Sequence, residues 1–293
     1  MFIAGIDGGG THTRLEIRDE GNRLIRREEF GPFNLNSIGE TAFRSLLREV
    51  FAACGSMEDC ARICFGAAGI SNPRVREILA EDLENAGFRG KWKLCGDQEI
   101  ALRGAMDEPG VAVIAGTGSI CFGKNAAGET ARSGGYGPLI DDGGSGYALG
   151  RDVLSGAVRQ FDGRSRGTAL LDAVYEKLGG STPSDIISFV YSPETDKSAI
   201  AKFSHIALAR AAEGDEEALE ILNRGASELA ALVGAVQEKL GLQGCPIALL
   251  GGLISEDNPY RRVVVDALSK LGRPIAPAHD ALWGAAQMAL EME

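Results

Sequence analysis

The sequence predicts an α/β protein built from two similar domains. Predicted strands alternate with predicted helices through the first part of the chain. One pattern also occurs twice, within residues 1–30 and 111–132: an apolar strand, a Gly/Thr turn, a second strand, another turn and a third strand. Two such units predict two related domains facing each other across a central cleft, which is a common place for small-molecule sites.

The first copy contains the turn Gly8-Gly9-Gly10-Thr11 between an apolar run and a stretch in which Leu15 and Ile17 alternate with charged residues. Alternation at period two predicts a half-buried strand. The glycines permit positive φ and a close approach to a ligand, and successive N–H groups in such a turn can hold phosphate oxygens. Asp7 can hold Mg²⁺ directly or through water. A glycine-rich hairpin with no ligand explains this stretch alone equally well.

The second copy places Gly116-Thr117-Gly118-Ser119 between the apolar runs 111–115 and 120–122. This repetition favours a pair of phosphate-binding turns. Residues 118–124 have Walker spacing, but Asn125 stands where Ser or Thr is needed, so a P-loop is rejected. The first turn lacks the last glycine of the dinucleotide fingerprint and precedes a strand, so Rossmann binding is rejected as well.

The remaining elements follow from periodicity and from start and stop signals. Ser37 is the expected N-cap of the first helix, with Glu40 completing a capping box. The predicted domain boundaries are 1–109 with 280–293, and 110–279. The further predicted elements are helices at 37–53, from Pro73 onward, at 99–106, 146–160, 259–271 and 281–292, and buried strands within 63–69, 92–95 and 247–250.

Composition narrows the function classes. The chain has 293 residues, with 30 basic against 41 acidic ones, for a net charge of −11. An acidic surface disfavours nucleic acid as a partner. No apolar run reaches about 18 residues, which argues against a membrane span, and no signal peptide is expected. The six cysteines lack C-x-x-C spacing and predict buried thiols in a cytoplasmic protein, with metal binding at Cys60 and Cys64 a minor alternative.

The turns Asp7-Gly8-Gly9-Gly10-Thr11 and Gly116-Thr117-Gly118-Ser119 resemble the two phosphate loops of the actin/hexokinase superfamily. Within it the chain resembles, nearly end to end, the N-acetylglucosamine kinase branch of the BadF/BadG/BcrA/BcrD ATPase family. The resemblance implies two ribonuclease H-like (actin-like ATPase) domains, ATP and Mg²⁺ as cofactors, and a small-molecule amino sugar as partner. A homodimer is compatible with it.

Asp97 directly follows an apolar strand and precedes a helix. Phosphoryl transfer to a hydroxyl needs a group that takes or orients the hydroxyl proton while Mg²⁺ neutralises the phosphates. The alternative role is a helix N-cap, which spacing alone favours. The resemblance implies that Asp97 is the base, because the related kinases carry an Asp at this point.

The glycine-rich loop reads Asp141-Asp142-Gly143-Gly144-Ser145, where the family pattern is Gly-Asp-Glu-Gly-Ser. The central Asp matches, and Gly143 replaces the acidic neighbour. The resemblance implies that Asp142 hydrogen-bonds sugar hydroxyls, as Asn34 does, with a helix N-cap as the alternative for Asp142. The departure at Gly143 leaves the identity of the sugar open.

The resemblance assigns the remaining site residues by their motifs. Gly251-Gly252 resembles the adenosine-side turn, although by itself a strand-to-helix turn needing positive φ explains it better. The full expected set is Asp97 as catalytic residue; Gly8, Gly9, Gly10, Thr11, Thr13, Gly116, Thr117, Gly118, Ser119, Gly251 and Gly252 for the nucleotide; Asn34, Asp97, Gly135, Tyr136 and Asp142 for the substrate; and Asp7 for the metal.

The predicted activity is ATP-dependent phosphorylation of the 6-hydroxyl of an amino sugar, N-acetylglucosamine or glucosamine. One alternative is an ATPase activator of a radical dehydratase or reductase, the other activity of the wider family, which holds an iron–sulfur cluster with cysteines in Gly-rich turns; here no cysteine has that setting. A non-catalytic nucleotide-binding regulator is a second alternative, which Asp97 argues against. Phosphate loops on two domains also predict domain closure around the substrates.

Overall fold

A computed structural model describes residues 1–70, 72–165, 167 and 169–293 of the chain. The chain divides into two compact units. Unit 1 comprises Met1–Asp107 and Pro277–Glu293, and unit 2 comprises Glu108–Ala276. Each unit contains a five-stranded sheet formed by its described residues.

The strands and helices alternate as the sequence predicts. The strands are β1 (Phe2–Gly8), β2 (Thr13–Asp19), β3 (Leu24–Phe30), β4 (Cys60–Ala67), β5 (Lys91–Gly96), β6 (Gly110–Ala115), β7 (Ser119–Lys124), β8 (Thr130–Gly134), β9 (Pro246–Leu250) and β10 (Arg273–Ile275). The helices are α1 (Leu35–Cys54), α2 (Pro73–Asn85), α3 (Asp97–Ala105), α4 (Gly146–Phe161), α5 (Leu170–Leu178), α6 (Pro183–Val190), α7 (Lys197–Ala201), α8 (Ser204–Ala212), α9 (Glu216–Leu240), α10 (Pro259–Ser269) and α11 (Ala281–Leu290).

The two sheets share one topology. In unit 1 the strand order is β3-β2-β1-β4-β5, and in unit 2 it is β8-β7-β6-β9-β10. The first three strands of each unit pair antiparallel, and the last two run parallel to the first. Since the repeated strand–turn–strand pattern forms the antiparallel half of each sheet, the predicted two-unit α/β fold is confirmed.

The start of α1 differs from the prediction. The N-cap is Asn34, whose side-chain oxygen accepts a hydrogen bond from the Asn36 N–H at 3.1 Å, so Ser37 is not the cap. Gly39 has φ 76° and interrupts the regular helix. The capping-box residues Ser37 and Glu40 therefore flank this kink, and the helix begins three residues earlier than the motif suggests.

Helix α11 fixes the position of α3 in unit 1. A Cβ on Gly284 would collide with the Ile100 carbonyl, and one on Gly104 would collide with the Asp280 carbonyl. The two helices therefore pack backbone to backbone, which only glycine permits. Asp280 caps α11, as predicted, by accepting from the Trp283 N–H at 2.8 Å. This packing fixes the position of α3, the helix that begins at Asp97.

The cysteines are buried free thiols, as predicted. Cys60 and Cys64 lie on β4, so they do not share a helical face. The described residues contain no group of three His, Cys, Asp or Glu side chains arranged to hold a metal ion. No described helix is long and apolar enough to cross a membrane.

Candidate active site

The first predicted phosphate loop joins β1 and β2 in unit 1. The Gly9 N–H donates to the His12 carbonyl at 2.8 Å, and the Gly9 carbonyl accepts from the Phe33 N–H at 2.9 Å. Gly10 and Thr11 lie at the exposed tip, and a Cβ on Gly10 would meet no atom within 4 Å. The tip therefore leaves open space beside the Gly10 backbone, as an anion-binding turn requires.

The glycines of this loop do not use the positive φ that the sequence permits. Gly8, Gly9 and Gly10 all lie outside that region. Gly8 is required for space, because a Cβ there would lie 2.7 Å from the Phe33 ring. Thr13, a predicted nucleotide contact, is fully buried and donates its hydroxyl hydrogen bond to the Gly31 carbonyl at 2.7 Å. In this conformation Thr13 stabilises the end of the loop.

Arg14 is a site residue that the motifs did not identify. The hairpin register places it opposite Asp7, and its guanidinium donates to the Asp7 carboxylate. Arg14 also lies 3.8 Å from the Asp280 carboxylate. The sequence did contain a signal for this contact: Asp7 and Arg14 carry opposite charges on either side of the turn, and residues that face each other in a hairpin interact. Arg14 therefore orients the predicted metal ligand.

Asp97 is the first residue of α3, directly after β5. The N-cap is Gly96, whose N–H donates to the Glu99 carboxylate at 3.1 Å. The N-cap alternative for Asp97 is therefore wrong. Surrounding protein atoms desolvate Asp97 and raise its pKa, and the nearby Asp7 carboxylate raises it further. The side chain is nevertheless exposed. An exposed carboxylate with a raised pKa fits a general base.

The raised pKa of Asp97 predicts the pH dependence of the reaction. A base must be ionised, so kcat/KM should fall as the pH is lowered through the pKa of Asp97, which lies above the ordinary aspartate value. The measurement is kcat/KM against pH. An Asp97→Asn variant is the control, since any residual activity should lack this acidic limb. The same acidic limb in the variant would assign it to another group.

The second phosphate loop is joined to the glycine-rich loop of unit 2. The Gly146 N–H donates to the Gly116 carbonyl at 2.8 Å, and the Tyr147 N–H donates to the Thr117 carbonyl at 3.1 Å. A Cβ on Gly116 would meet no atom within 4 Å. The phosphate loop thus lies against the N-terminus of α4, and helix N-termini favour anions.

Asp142 lies against this second loop. It is 8% exposed, and a Cβ on Gly118 would lie 3.1 Å from its carboxylate. Burial raises the pKa of Asp142, while a backbone hydrogen bond from Ser119 lowers it. The N-cap of α4 is Ser145, which accepts from the Ala148 N–H at 3.1 Å. The N-cap alternative for Asp142 is therefore wrong.

Two other predicted substrate contacts lie at the start of the glycine-rich loop. Gly135 has φ 74°, and a Cβ there would lie 2.8 Å from the Ile120 side chain. Tyr136 is 54% exposed, and the Arg132 guanidinium lies 5.1 Å from its ring centroid. Their contact with a sugar stays a prediction.

The Gly251-Gly252 turn follows β9. Gly251 has φ 89°, and a Cβ there would collide with the Ala115 backbone. The requirement for positive φ is thus confirmed at Gly251. Gly252 is exposed, and a Cβ on it would meet no atom within 4 Å. The role of this turn towards adenosine stays a prediction.

The carboxylates of unit 1 suit Mg²⁺ bound together with a nucleotide. Mg²⁺ usually takes only one or two protein carboxylates and fills its other positions with water and phosphate oxygens. Asp7 is close enough to Asp97 to raise its pKa, and Arg14 donates to one of the two Asp7 carboxylate oxygens. The donor set is therefore sufficient for a metal that arrives with phosphates.

Comparison with known proteins identifies the family of this chain. The model of the BadF/BadG/BcrA/BcrD ATPase family matches residues 4–289. The chain belongs to this family.

Named relatives of this family member are sugar kinases. This chain is 34% identical over 265 residues to the N-acetylmuramic acid/N-acetylglucosamine kinase of Clostridium acetobutylicum, and the match covers 88% of this chain and 87% of that protein. It is 31% identical over 296 residues to the N-acetyl-D-glucosamine kinase of Dictyostelium discoideum, covering 92% and 89%. The resemblance stated from the motifs is confirmed.

A solved structure from Chromobacterium violaceum, provisionally assigned as an N-acetylglucosamine kinase, superposes with a TM-score of 0.76. It is 25% identical and covers 99% of both chains. This agreement extends the match from the sequence to the arrangement of strands and helices over the full chain.

Proposed function

We propose that this protein is an ATP-dependent kinase that phosphorylates the 6-hydroxyl of an amino sugar, N-acetylglucosamine or glucosamine. The observation that carries the proposal is the Asp97 carboxylate, which is exposed, has a raised pKa and lies near Asp7. Kinase relatives at 34% and 31% identity support the reaction class.

Asp97 acts on the acceptor hydroxyl. Its carboxylate takes the proton as the sugar oxygen bonds to the γ-phosphorus, and the bond from that phosphorus to the bridging oxygen of ADP breaks. A base becomes more effective as its pKa approaches the working pH, so the desolvation that raises the pKa of Asp97 favours this role.

Asp7 would hold Mg²⁺, which when bound neutralises charge on the phosphates. The Arg14 guanidinium keeps the Asp7 carboxylate oriented through its hydrogen bond. Removing Arg14 would leave that carboxylate without its charged partner, so Arg14 is a positioning residue in this proposal.

The sugar contacts proposed are Asn34 and Asp142. Asn34 uses its side-chain oxygen to cap α1, which leaves its amide N–H groups to donate to a hydroxyl. Asp142 is an acceptor held in place by the second phosphate loop. The exposed N–H groups around Gly10 and the open side of Gly116 would take the phosphates.

The two alternatives predict different chemistry. An iron–sulfur activator needs accessible cysteines, whereas all six cysteines here are buried. A regulator would bind nucleotide without turnover, and a raised-pKa carboxylate such as Asp97 has no evident use there. Closure of the two domains around the substrates stays a prediction.

A sugar panel tests the proposal. We expect ADP release from Mg-ATP to depend on N-acetylglucosamine or glucosamine, with one ADP formed for each sugar consumed. The 6-deoxy analogue is the matched control, since it lacks only the reacting hydroxyl and should give no sugar-dependent ADP. Equal ADP release with and without any sugar would support an ATPase, and nucleotide binding without turnover would support a regulator.

A further inference from the structure

A cavity of about 350 Å³ lies beside Asp142 within unit 2. Its walls come from the glycine-rich loop, the first turns of α4 and the middle of α9. The charged residues that line it are Asp141, Asp142, Asp152, Glu228, Arg151 and Arg224. Since Asp142 is a proposed sugar contact and is more than nine-tenths buried, this cavity adjoins the place where the sugar would bind.

Glu228 reaches the loop at the position where the family pattern has an acidic residue. A Cβ on Gly143 would lie 3.0 Å from the Cβ, Cγ and Oε2 atoms of Glu228. The side chain of Glu228 therefore lies against the bare backbone of Gly143, and a larger residue at 143 would crowd it. Helix α9 therefore places a carboxylate beside the loop position at which the family pattern has one.

The charges of the cavity are not balanced. Arg151 contacts Asp152 at 2.9 Å, and Arg224 contacts the same carboxylate at 3.4 Å. Glu228 has no ion pair or hydrogen bond with the described residues. Burial raises the pKa of Tyr260, and the nearby Glu228 carboxylate raises it further. The Tyr260 hydroxyl donates to the Gly144 carbonyl at 2.7 Å. Asp141, Asp142 and Glu228 have no arginine partner among the lining residues, and Lys197 acts on Asp142 from outside the lining, so the charge of the cavity lining is negative.

We propose that Glu228, together with Asp142, is a specificity residue that disfavours an anionic amino sugar relative to an uncharged or cationic one. N-acetylmuramate is N-acetylglucosamine with a lactyl ether on the 3-oxygen, so it adds a carboxylate to a sugar that Asp142 would bind through hydroxyls. That carboxylate would meet the Glu228 charge, whereas the amide and hydroxyls of N-acetylglucosamine can donate to it. The inference rests on the proposed kinase activity. The name of the Clostridium relative includes both sugars, so the inference predicts a difference in specificity between the two proteins.

Replacing Glu228 with Gln tests the inference. The variant keeps the shape and removes one charge, so kcat/KM for N-acetylmuramate relative to N-acetylglucosamine should rise at least about fivefold, the effect of one like charge about 4 Å away even at the dielectric constant of bulk water. Raising the salt concentration should lift the same ratio in the unaltered protein, because salt screens exposed charges. Glu238→Gln is the matched control: it is exposed on the same helix, outside the cavity lining, and should leave the ratio unchanged.

The outcomes distinguish a failure of the Glu228 specificity role from a failure of the proposed kinase activity. If the unaltered protein phosphorylates N-acetylglucosamine but Glu228→Gln leaves the ratio at its original value, the specificity role is wrong and the kinase activity stands. If the unaltered protein uses both sugars equally well, the role is wrong too. If it phosphorylates no amino sugar, the proposed function fails and the inference fails with it.

Discussion

Replacing Asp97 with asparagine is expected to lower kcat by about 10²–10⁴-fold, the contribution of a positioned general base. The amide is nearly isosteric, and the N-cap of α3 is Gly96, so the variant should fold. Because the pKa of Asp97 is raised in the folded protein, ionising it costs folding free energy at neutral pH. The variant should therefore be no less stable, and steady-state kinetics with thermal unfolding would show both results.

A matched control for this variant is Asp172→Asn. Asp172 is also an exposed aspartate in the first turn of a helix, α5, and its replacement should leave kcat unchanged. ATP affinity should change little in Asp97→Asn, since the predicted nucleotide contacts lie elsewhere. Near-normal turnover of Asp97→Asn would remove the proposed base and leave the mechanism without its central residue.

Gly10→Val should weaken the binding of ATP and ADP by about 10- to 100-fold, the cost of losing one hydrogen bond to a charged group. A Cβ at Gly10 meets no protein atom within 4 Å, and its φ is not positive, so the fold should accept the side chain. The valine would instead occupy the open space in front of the loop. Isothermal titration with each nucleotide measures the effect.

Gly31→Val is the control for the loop variant. Gly31 also has open space around a Cβ and no positive φ, but it lies outside both predicted phosphate loops. It should bind nucleotides normally. If Gly10→Val is folded and binds them equally well, the first turn is a hairpin without a ligand, which was the alternative interpretation of the sequence.

The strands and phosphate turns could be predicted because their signals are local. Alternation around Leu15 and Ile17 identifies β2 from a few residues. Repetition of a strand–Gly/Thr turn–strand unit identifies the second sheet, because two sheets of the same topology have the same order of strands and turns along the chain. Asp280 as the cap of α11 follows from a single residue type at a helix start.

Other features depend on contacts that no local pattern carries. Ser37 and Glu40 have the residue types and spacing of a capping box, but Gly39 between them takes φ 76° and Asn34 is the N-cap of the helix. The contact of Glu228 with Gly143 joins residues far apart in the chain. The pairing of Arg14 with Asp7 depends on hairpin register, which follows from the length of the turn.

The most direct measurement of the central claim is the fate of the γ-phosphoryl group of labelled ATP in the presence of N-acetylglucosamine or glucosamine. The proposal predicts that the label moves to the sugar, that phosphorus–proton correlation spectra place it on the 6-oxygen, and that Asp97→Asn slows this transfer by about 10²–10⁴-fold while Asp172→Asn does not. Label found only in inorganic phosphate, with both sugars recovered unmodified, would contradict it.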